Sequence, residues 1–332
     1  MQKKIKIGDK FFVAGAHGMA GSAICRALLK SGYGNSINGG EILKPKRKDL
    51  DLLDINEVKK WFKYNKPTIV IIAAAKVGGI LANSTHPANF ILENLKIQTN
   101  LIETAWNFGV KRLLFLGSSC IYPKFSDQPI DEESLLSGFL EQTNESYAIA
   151  KIAGIKLCEA LRKQYSFDSI SLMPTNLYGP GDNYHPSNGH VMAALISRFA
   201  NAVSQNLSKV SCWGSGSPFR EFMHADDLGS SVVFALENWD PSSKDAPKDK
   251  YGQPLNFLNV GTGVDISIKE LANLIAKATG FNGEIIWDKS KPDGTPKKLL
   301  NINKIKSLGW TPSINLEDGI RLTVAEYLRI KG

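Results

Sequence analysis

The sequence has no apolar run long enough to cross a bilayer, which argues against a membrane-spanning protein and against a membrane partner. It also has few cysteines. The four among its 332 residues show neither the spacing of a metal site nor the density of a disulfide framework. Internal repeats and low-complexity tracts are missing too, so we expect ordinary globular lobes. A chain of this length can bury a large core, and its 43% hydrophobic and 22% charged residues are typical of a globular protein.

The chain carries a formal net charge of +8 and has a pI near 9.1, values that raise the question of a nucleic-acid partner. Its basic residues are scattered, however, and no motif interleaves them with aromatic residues, so we expect no nucleic acid. An anionic cofactor and an anionic substrate account for part of the positive excess. Residues 1–4 are basic, but no apolar signal core follows them, and we expect a cytoplasmic protein.

A glycine-rich loop between a strand pattern and a helix pattern predicts a dinucleotide site near the N-terminus. Lys10–Ala14 is short and mostly apolar, and apolar residues recur at helical spacing after residue 21. The glycines allow a tight turn and a close approach of the backbone, while the helix N-terminus receives a pyrophosphate. The predicted cofactor-binding loop consists of Gly15, Ala16, His17, Gly18, Met19, Ala20 and Gly21, with the spacing G-x-x-G-x-x-G.

The residues after the second predicted strand indicate which nicotinamide cofactor binds. An acidic residue at the end of this strand would bind the ribose 2′-hydroxyl of NAD. Glu41 begins the strand Glu41–Leu43, so it is in the wrong place for that role. A basic cluster follows at 44–48. It is either a solvated loop or, as we expect at this location, a site where Lys46 and Arg47 contact the 2′-phosphate of NADP(H).

Tyr147 and Lys151 are four residues apart and therefore share one face of a predicted helix. An ammonium beside a phenol favours the phenolate, so we expect a lowered pKa for Tyr147. Ser118, at the end of an upstream strand, can polarise a carbonyl, and the three residue types suit hydride transfer to a ketone. The Tyr-x-x-x-Lys pair alone is common on surface helices. The predicted dinucleotide loop near the N-terminus favours the catalytic interpretation of the pair. Cys120, two residues beyond Ser118, indicates a second chemistry in the same pocket.

Strand and helix patterns alternate through the first half of the chain, which predicts a parallel sheet covered on both faces. We predict an α/β fold, a Rossmann-type doubly wound parallel sheet with a smaller α+β substrate-binding lobe. The NADP-binding domain is predicted to cover 1–180, and the chain is predicted to return to this domain at about 219–262. The substrate lobe is predicted to cover 181–218 and 263–332. Segment 241–254 is predicted to be an exposed insertion. The further predicted elements are the strands Thr68–Ala74, Lys111–Leu116 and Ser169–Met173 and the helices Asn89–Phe108 and Ser146–Tyr165.

Several blocks of sequence carry a resemblance to a known family. They are AAAKVGGI at 73–80, LGSSCIYPK at 116–124, YAIAK at 147–151, PTNLYGP at 174–180, HPSNGH at 185–190 and KPDGTP at 291–296. Together with the glycine loop, these blocks resemble the extended short-chain dehydrogenase/reductases that act on nucleotide sugars. Within that family they resemble the GDP-L-fucose synthases, and the resemblance runs over nearly the whole chain.

The resemblance implies a two-part reaction on GDP-4-keto-6-deoxy-D-mannose, with epimerisation at C3 and C5 followed by reduction of the C4 ketone by NADPH. Both carbons flank the ketone, so their protons are acidified through an enolate. The resemblance assigns Cys120 as the base and His190 as the acid, although which of them acts at each carbon stays open. It also implies that Ser118 and Tyr147 hydrogen-bond the enolate oxygen, that Tyr147 protonates the C4 oxygen, and that Lys151 holds the nicotinamide ribose.

Further ligands and a homodimer follow from the same resemblance. The implied cofactor contacts are Leu116, Gly117, Ser118, Ser119, Lys151, Pro174, Thr175, Asn176, Leu177 and His190. The implied substrate contacts are Arg198 and Arg220 at the GDP pyrophosphate, Trp213 at the nucleotide or sugar, Asp293 at the guanosine and Lys298 at a phosphate or ribose. Apolar residues on the helices Asn89–Phe108 and Ser146–Tyr165 exceed one narrow stripe, and the family pairs such helices from two subunits into a four-helix bundle.

Two other functions stay open on the residues alone. The nearer one is a 4,6-dehydratase or C4-epimerase of the same fold. Dehydratases place an acidic pair after the strand-end serine or threonine, where this chain has Ser119-Cys120. C4-epimerases retain NAD and usually carry an acidic residue where this chain has its basic cluster. The more distant one is a non-catalytic NADP-binding protein, and the presence of Tyr147 and Lys151 argues against it.

Overall fold

A six-stranded parallel sheet forms the centre of the larger lobe in the computed structural model, which describes residues 3–185, 189–291 and 293–331. The strands in chain order are β1 Lys10–Ala14, β2 Glu41–Leu43, β3 Ile69–Ile72, β4 Arg112–Leu116, β5 Ser169–Pro174, β6 Asn176–Tyr178, β7 Lys209–Trp213, β8 Phe219–His224, β9 Phe257–Val260, β10 Asp265–Ser267, β11 Glu284–Asp288 and β12 Lys297–Lys298. The central sheet has the order β2-β1-β3-β4-β5-β9, and all its pairings are parallel. The order changes direction between β1 and β3, where α/β sheets bind ligands beyond the carboxyl ends of their strands.

Helices cover this sheet and explain why its strands are continuous apolar runs. The helices are α1 Met19–Lys30, α2 Ile55–Asn65, α3 Ile80–Thr85, α4 Pro87–Asn107, α5 Glu145–Tyr165, α6 Val191–Ser204, α7 Ala225–Asn238, α8 Ile268–Thr279, α9 Asn303–Ser307 and α10 Leu316–Lys331. Helix α1 packs against α7, and α4 packs against α5. Every residue of β3 and β4 is buried, as expected for a parallel sheet with helices on its faces. The predicted fold class is confirmed.

A second group of strands and helices forms a separate core, which the sequence patterns did not resolve into elements. Strand β8 pairs with β10, β12 and β6, and β7 pairs with β11. The apolar faces of α6, α8 and α10 share one buried cluster with residues of β7 and β8. Strand β8 therefore lies outside the central sheet, whereas β9 lies within it. The domain limits given above stay a prediction.

The boundaries of the early elements agree closely with the sequence patterns. Strands β1 and β2 have the predicted limits, and the long helices α4 and α5 begin and end within two residues of theirs. The segment 241–254 is only partly exposed, because Ala246 is buried together with the prolines on either side of the turn, Pro241 and Pro247. No helix in the described part of the chain is long and apolar enough to span a membrane.

Candidate active site

The glycine loop has a different steric requirement at each of its three glycines. Gly15 has a φ of +84°, and a Cβ there would lie 2.7 Å from the Ala74 nitrogen. A Cβ on Gly21 would lie 2.1 Å from the Gly15 oxygen, so this glycine lets α1 pack closely against the end of β1. A Cβ on Gly18 would meet nothing closer than the Gly15 oxygen at 3.6 Å. Gly18 is the N-cap of α1, and open space there leaves room for a phosphate at the helix N-terminus.

The basic segment after β2 lies beside this loop. The His17 Nε2 atom is 3.1 Å from the Lys44 main-chain oxygen, which ties the loop to the segment. Lys46 and Arg47 are exposed, and their side chains make no hydrogen bond or ion pair with the residues that the structure describes. Ala16 is buried, while Met19 and Ala20 begin α1. Two unpaired cations at this position suit a 2′-phosphate.

Lys151 is buried at 3% exposure on α5 and reaches the end of the neighbouring strand β4. Its Nζ donates to the Leu116 main-chain oxygen over 2.8 Å. The same atom lies 4.7 Å from the ring centroid of Phe115 and 5.9 Å from that of Tyr147. Burial lowers the pKa of Lys151 to about 7. An anionic or polar ligand near this ammonium would therefore find it half charged at neutral pH.

The expected lowering of the Tyr147 pKa is wrong for this structure. Burial raises the pKa of Tyr147 above its ordinary value, a thiolate at Cys120 would add to the rise, and a hydrogen bond from Ser118 opposes it. Burial prevails because the neighbouring lysine is also buried, has a pKa lowered to about 7, and already donates to a main-chain oxygen. The phenol is thus protonated at neutral pH and is a proton donor.

Cys120 lies in the same cleft as the Ser118, Tyr147 and Lys151 group. It sits in a short 3-10 turn, Ser119–Ile121, that packs against α5. Its main-chain nitrogen donates to the Ser118 Oγ over 3.3 Å, and its Sγ accepts from the Asn144 Nδ2 over 3.4 Å. It is close enough to Tyr147 and Arg220 that a thiolate at this position would raise the pKa of both groups. A hydroxyl pair, a sulfur and a cation therefore converge here.

His190 lies at the start of α6 in the second lobe, exposed and with no side-chain cap bond. Burial raises the pKa of the nearby Asp182 carboxyl, and a positive charge on His190 would oppose that rise. Residues 186–188 of the HPSNGH block and Pro292 of the KPDGTP block lie outside the described residues.

Arg198 and Trp213 form one part of the predicted substrate region. The Arg198 Nη1 donates to the Ser211 main-chain oxygen over 2.6 Å, and the guanidinium lies 5.8 Å from the Trp213 ring. Trp213 is 52% exposed, and the ammonium of Lys291 also lies 5.8 Å from its ring. Beside them is a cavity of about 280 Å³ that Arg198 and Asn201 help to line. An exposed aromatic face flanked by two cations is suited to an anionic aromatic ligand.

Arg220 connects this region with the cysteine. Its Nη1 donates to the Phe219 main-chain oxygen over 2.7 Å. Lys298 is the residue of β12 that lies opposite Arg220 in the parallel pairing of β12 with β8. Burial lowers the pKa of Arg220, and the negative charges of Cys120 and Asp293 oppose that shift. Asp293 accepts from the Ser215 nitrogen and Oγ at 2.9 and 2.7 Å, and these bonds lower the pKa of Asp293.

The remaining predicted cofactor residues lie at the carboxyl ends of neighbouring strands. Gly117 and Ser119 follow β4, and Pro174 ends β5. The Thr175 Oγ1 and Asn176 Nδ2 both donate to the Glu221 main-chain oxygen, at 3.2 and 2.8 Å, so these two side chains are engaged within the protein. Leu177 lies on β6 beside them. Their use as cofactor contacts stays a prediction.

Two residues that adjoin the site, Asn144 and Asp182, are not among those predicted from the sequence. Both are polar residues that the structure places beside a predicted catalytic group. Asparagine at the start of a predicted helix is an N-cap signal, but nothing in the local pattern links it to a cysteine 24 residues earlier.

The parallel sheet, the glycine loop and the Ser118, Tyr147 and Lys151 group define a class of nicotinamide-dependent enzymes. Residues 11–247 match the NAD dependent epimerase/dehydratase family, and the chain belongs to that family. Within it, the chain is similar to two curated relatives along nearly its whole length, as the resemblance had predicted.

The first is GDP-L-fucose synthase 1 of Arabidopsis thaliana, which is 52% identical over 320 residues, 96% of this chain and 93% of the relative. The second is GDP-L-fucose synthase of Escherichia coli strain K12, which is 49% identical over 320 residues, 96% of this chain and 97% of the relative. A solved structure of a GDP-L-fucose synthetase from Naegleria fowleri bound to NADP superposes with a TM-score of 0.85. It is 28% identical, with 99% of this chain and 97% of that chain covered.

Proposed function

We propose that this protein converts GDP-4-keto-6-deoxy-D-mannose to GDP-L-fucose, by epimerisation at C3 and C5 and reduction at C4 with NADPH. One observation carries the proposal. Cys120 lies in one cleft with the Ser118, Tyr147 and Lys151 group, and its main-chain nitrogen donates to the Ser118 hydroxyl. A thiolate at Cys120 would raise the pKa of Tyr147, which places the two side chains close together. A reductase alone needs no such cysteine. The similarity to proteins named GDP-L-fucose synthase supports the same substrate and product.

Epimerisation requires a base, an acid and a group that stabilises the enolate. The Cys120 sulfur removes a proton from the carbon next to the ketone, and the electron pair moves into the C4 oxygen. Ser118 and Tyr147 donate hydrogen bonds to that oxygen, a role that the raised pKa of Tyr147 suits because the phenol keeps its proton. His190 returns a proton to the opposite face. Experiment must decide which of Cys120 and His190 acts at C3 and which acts at C5.

Reduction uses the same hydroxyl pair. NADPH, when bound, supplies a hydride to C4. Tyr147 delivers its proton to the C4 oxygen as the negative charge develops there. Lys151 binds the nicotinamide ribose and, when charged, stabilises the phenolate that Tyr147 leaves behind.

The described residues fit NADP(H). Gly18 leaves open space at the α1 N-terminus for the pyrophosphate, and Arg47 with Lys46 offers unpaired positive charge for the 2′-phosphate. The solved relative with NADP bound supports the same cofactor. For the substrate, we assign Arg198 and Arg220 to the GDP pyrophosphate; the further substrate contacts are Trp213, Asp293 and Lys298.

We also propose a homodimer and a cytoplasmic location. Helices α4 and α5 pack on each other, and each leaves an apolar side chain outside, with Leu92 54% and Ile149 42% exposed. Ile102 and Ile152 are buried within the subunit, so the predicted surplus surface is narrower than the sequence pattern suggests. All four cysteines are unpaired, which is usual for proteins of the cytoplasm, where thiols are kept reduced.

The deciding experiment incubates the protein with GDP-4-keto-6-deoxy-D-mannose and NADPH and identifies the sugar product. GDP-L-fucose, with one NADPH oxidised for each product molecule, is the expected result. A reduced sugar that keeps the original configuration at C3 and C5 would show that the protein is a reductase without epimerase activity. No turnover would point to the non-catalytic alternative or to a C4-epimerase, because the C4 ketone of this substrate has no configuration to invert. A C4-epimerase would instead invert C4 of a GDP-sugar that carries a hydroxyl there, without net NADPH oxidation.

A further inference from the structure

We infer that Asn144 is a positioning residue for the epimerisation half of the proposed reaction: its side-chain amide donates to the Cys120 sulfur and holds it as a thiolate. The inference rests on the proposed function for its chemical role. Two independent features of Asn144 carry it: its contact with the cysteine, and a side-chain oxygen that is buried and neither caps the helix nor accepts another bond from the described residues.

The contact comes first. The Asn144 Nδ2 lies 3.4 Å from the Cys120 Sγ, and both side chains are half-buried. An N–H group donates more strongly to an anion than to a neutral acceptor. The bond therefore favours the thiolate over the thiol and orients the sulfur. Once the sulfur has taken a proton from the sugar carbon, the bond weakens, because its acceptor is then neutral.

The Asn144 side chain does not cap the helix at whose start it lies. It is the N-cap of α5, and asparagine is among the strongest N-cap residues because its side chain can accept from the first main-chain N–H groups. Here the side chain makes no such bond, and it points to the cysteine instead. The helix that carries Tyr147 and Lys151 thus starts without its usual stabilising cap.

The same oxygen that makes no cap bond is also without any other donor among the described residues. The Asn144 Oδ1 is buried and accepts no hydrogen bond from the residues that the structure describes. An unpaired buried acceptor destabilises the fold, and such groups in native proteins call for an explanation. A side chain that neither caps its helix nor satisfies its own oxygen is not placed for stability. Its one bond is to the proposed base.

Two further groups act on the same sulfur. Tyr147, on α5, is a protonated phenol, and its negative form is disfavoured by the cysteine's charge. Arg220, on β8, is the cation whose charge couples to the cysteine, with Glu141 and Asp293 also acting on that guanidinium. Arg220 supplies attraction over a distance, whereas Asn144 supplies a directed donor. The two contributions can be separated because Asn144 carries no charge.

The test is the pH profile of Cys120 alkylation by iodoacetamide in the protein without substrate. The other cysteines are buried, and Cys120→Ser measures any background from them. The variants are Asn144→Ser and Asn144→Asp, because serine and aspartate are as good N-caps as asparagine and α5 should therefore form. Asn100→Ala is the control. Asn100 is a half-buried amide on α4 that donates to the Leu52 oxygen over 2.9 Å, away from the cleft.

Loss of a hydrogen bond to a charged group should move the alkylation midpoint of Asn144→Ser upward by about one pH unit, and Asn144→Asp should move it further. The control should keep the wild-type midpoint. An unchanged midpoint in Asn144→Ser would overturn the inference. A downward shift would overturn it too, since it would mean that the amide is turned round and accepts from the thiol.

A second readout uses the sugar. Deuterium uptake from D₂O at C3 and C5 should fall roughly 10-fold or more in Asn144→Ser, in line with the lost fraction of thiolate, while NADPH affinity stays at the wild-type value. Equal loss of uptake and of NADPH affinity would indicate a structural role and overturn the inference. If the wild-type protein does not process the GDP-sugar at all, the proposed function fails, yet the alkylation profile still decides whether Asn144 controls the sulfur.

Discussion

Lys151 donates from Nζ to the main-chain oxygen of Leu116 over 2.8 Å, which ties the catalytic helix to the strand that leads to Ser118. Tyr147 lies one helical turn before the lysine, and Ser118 lies two residues beyond the leucine. The bond therefore fixes the positions of Tyr147, Lys151 and Ser118 relative to one another. It also keeps a buried ammonium from water, and burial lowers the pKa of Lys151 to about 7.

This burial makes a prediction about stability and pH. The pKa of Lys151 is about 7 in the folded protein against an ordinary 10.5 in the unfolded chain. Below pH 7 the lysine is charged in both states, so the full cost of burying its charge is present. Between pH 7 and 10.5 only the unfolded chain keeps the proton, and the cost is progressively relieved. Relative to Lys151→Met, the wild type should gain at most about 1.4 kcal/mol per pH unit over that range.

Urea unfolding of the cofactor-free proteins at pH 6, 7.5 and 9 measures this difference directly. Lys156→Met, an exposed lysine on the same helix, is the control and should show a flat difference from wild type. A Lys151→Met difference that is independent of pH would contradict the assigned pKa.

Cys120 and Tyr147 should separate the two half-reactions. Cys120→Ser should stop deuterium uptake at C3 and C5, because serine is a far weaker base, while NADPH affinity is kept. Tyr147→Phe should lose reduction most, by roughly 10²–10⁴-fold, as expected for a general acid. Mass spectrometry of the recovered sugar in D₂O gives the exchange, and absorbance at 340 nm gives NADPH oxidation. Exchange at the wild-type rate in Cys120→Ser would rule the cysteine out as the base.

Arg47 should select NADPH over NADH. Its guanidinium is exposed beside the glycine loop, so Arg47→Gln should raise the KM for NADPH and leave that for NADH nearly unchanged. Removing one charge-assisted contact should cost about 1.5–3 kcal/mol of NADPH binding. The control is Lys59→Gln, an exposed cation on α2, which should change neither constant. Equal losses with both cofactors would show that this segment does not contact the phosphate.

Two alanine substitutions in the glycine loop should affect different properties, the stability of the fold in one variant and the binding of NADPH in the other. Gly21→Ala forces a Cβ to within 2.1 Å of the Gly15 oxygen and should lower the free energy of unfolding by about 1–3 kcal/mol. Gly18→Ala has room for its Cβ and should keep the wild-type stability. It should nevertheless weaken NADPH binding roughly tenfold or more, because the methyl group occupies space beside the helix N-terminus. Thermal unfolding and fluorescence titration with NADPH distinguish the two results.

Helices α4 and α5 should form the subunit contact. Light scattering at micromolar concentration should report a dimer for the wild type and a monomer for Leu92→Glu, because the new charge would be buried in the contact. Leu322→Glu on α10 is a matched control, since Leu322 is 57% exposed and Leu92 is 54% exposed. A fully active wild-type monomer under these conditions would rule the dimer out.

Local patterns were sufficient for the parts of the site that depend on neighbours in the chain. The strand, loop and helix around Gly15, Gly18 and Gly21 were predictable because an apolar run, a glycine turn and a helical period each act over a few residues. The shared face of Tyr147 and Lys151 followed from their spacing alone. The family was predictable too, because its blocks are long enough to be specific.

The tertiary structure decided what depends on burial and on contacts between distant segments. The expected shift of the Tyr147 pKa had the wrong sign, since spacing shows that a cation is near but does not show that the lysine is buried or that burial dominates the tyrosine pKa. Likewise, the residues from 176 onward that build the second core have no periodicity strong enough to pair β8 with β6, β10 and β12. Asn144 reaches Cys120, and Arg220 acts on it, only because the fold brings an early turn, a helix start and a late strand together. Such contacts are decided by packing over the whole chain, and no local pattern encodes them.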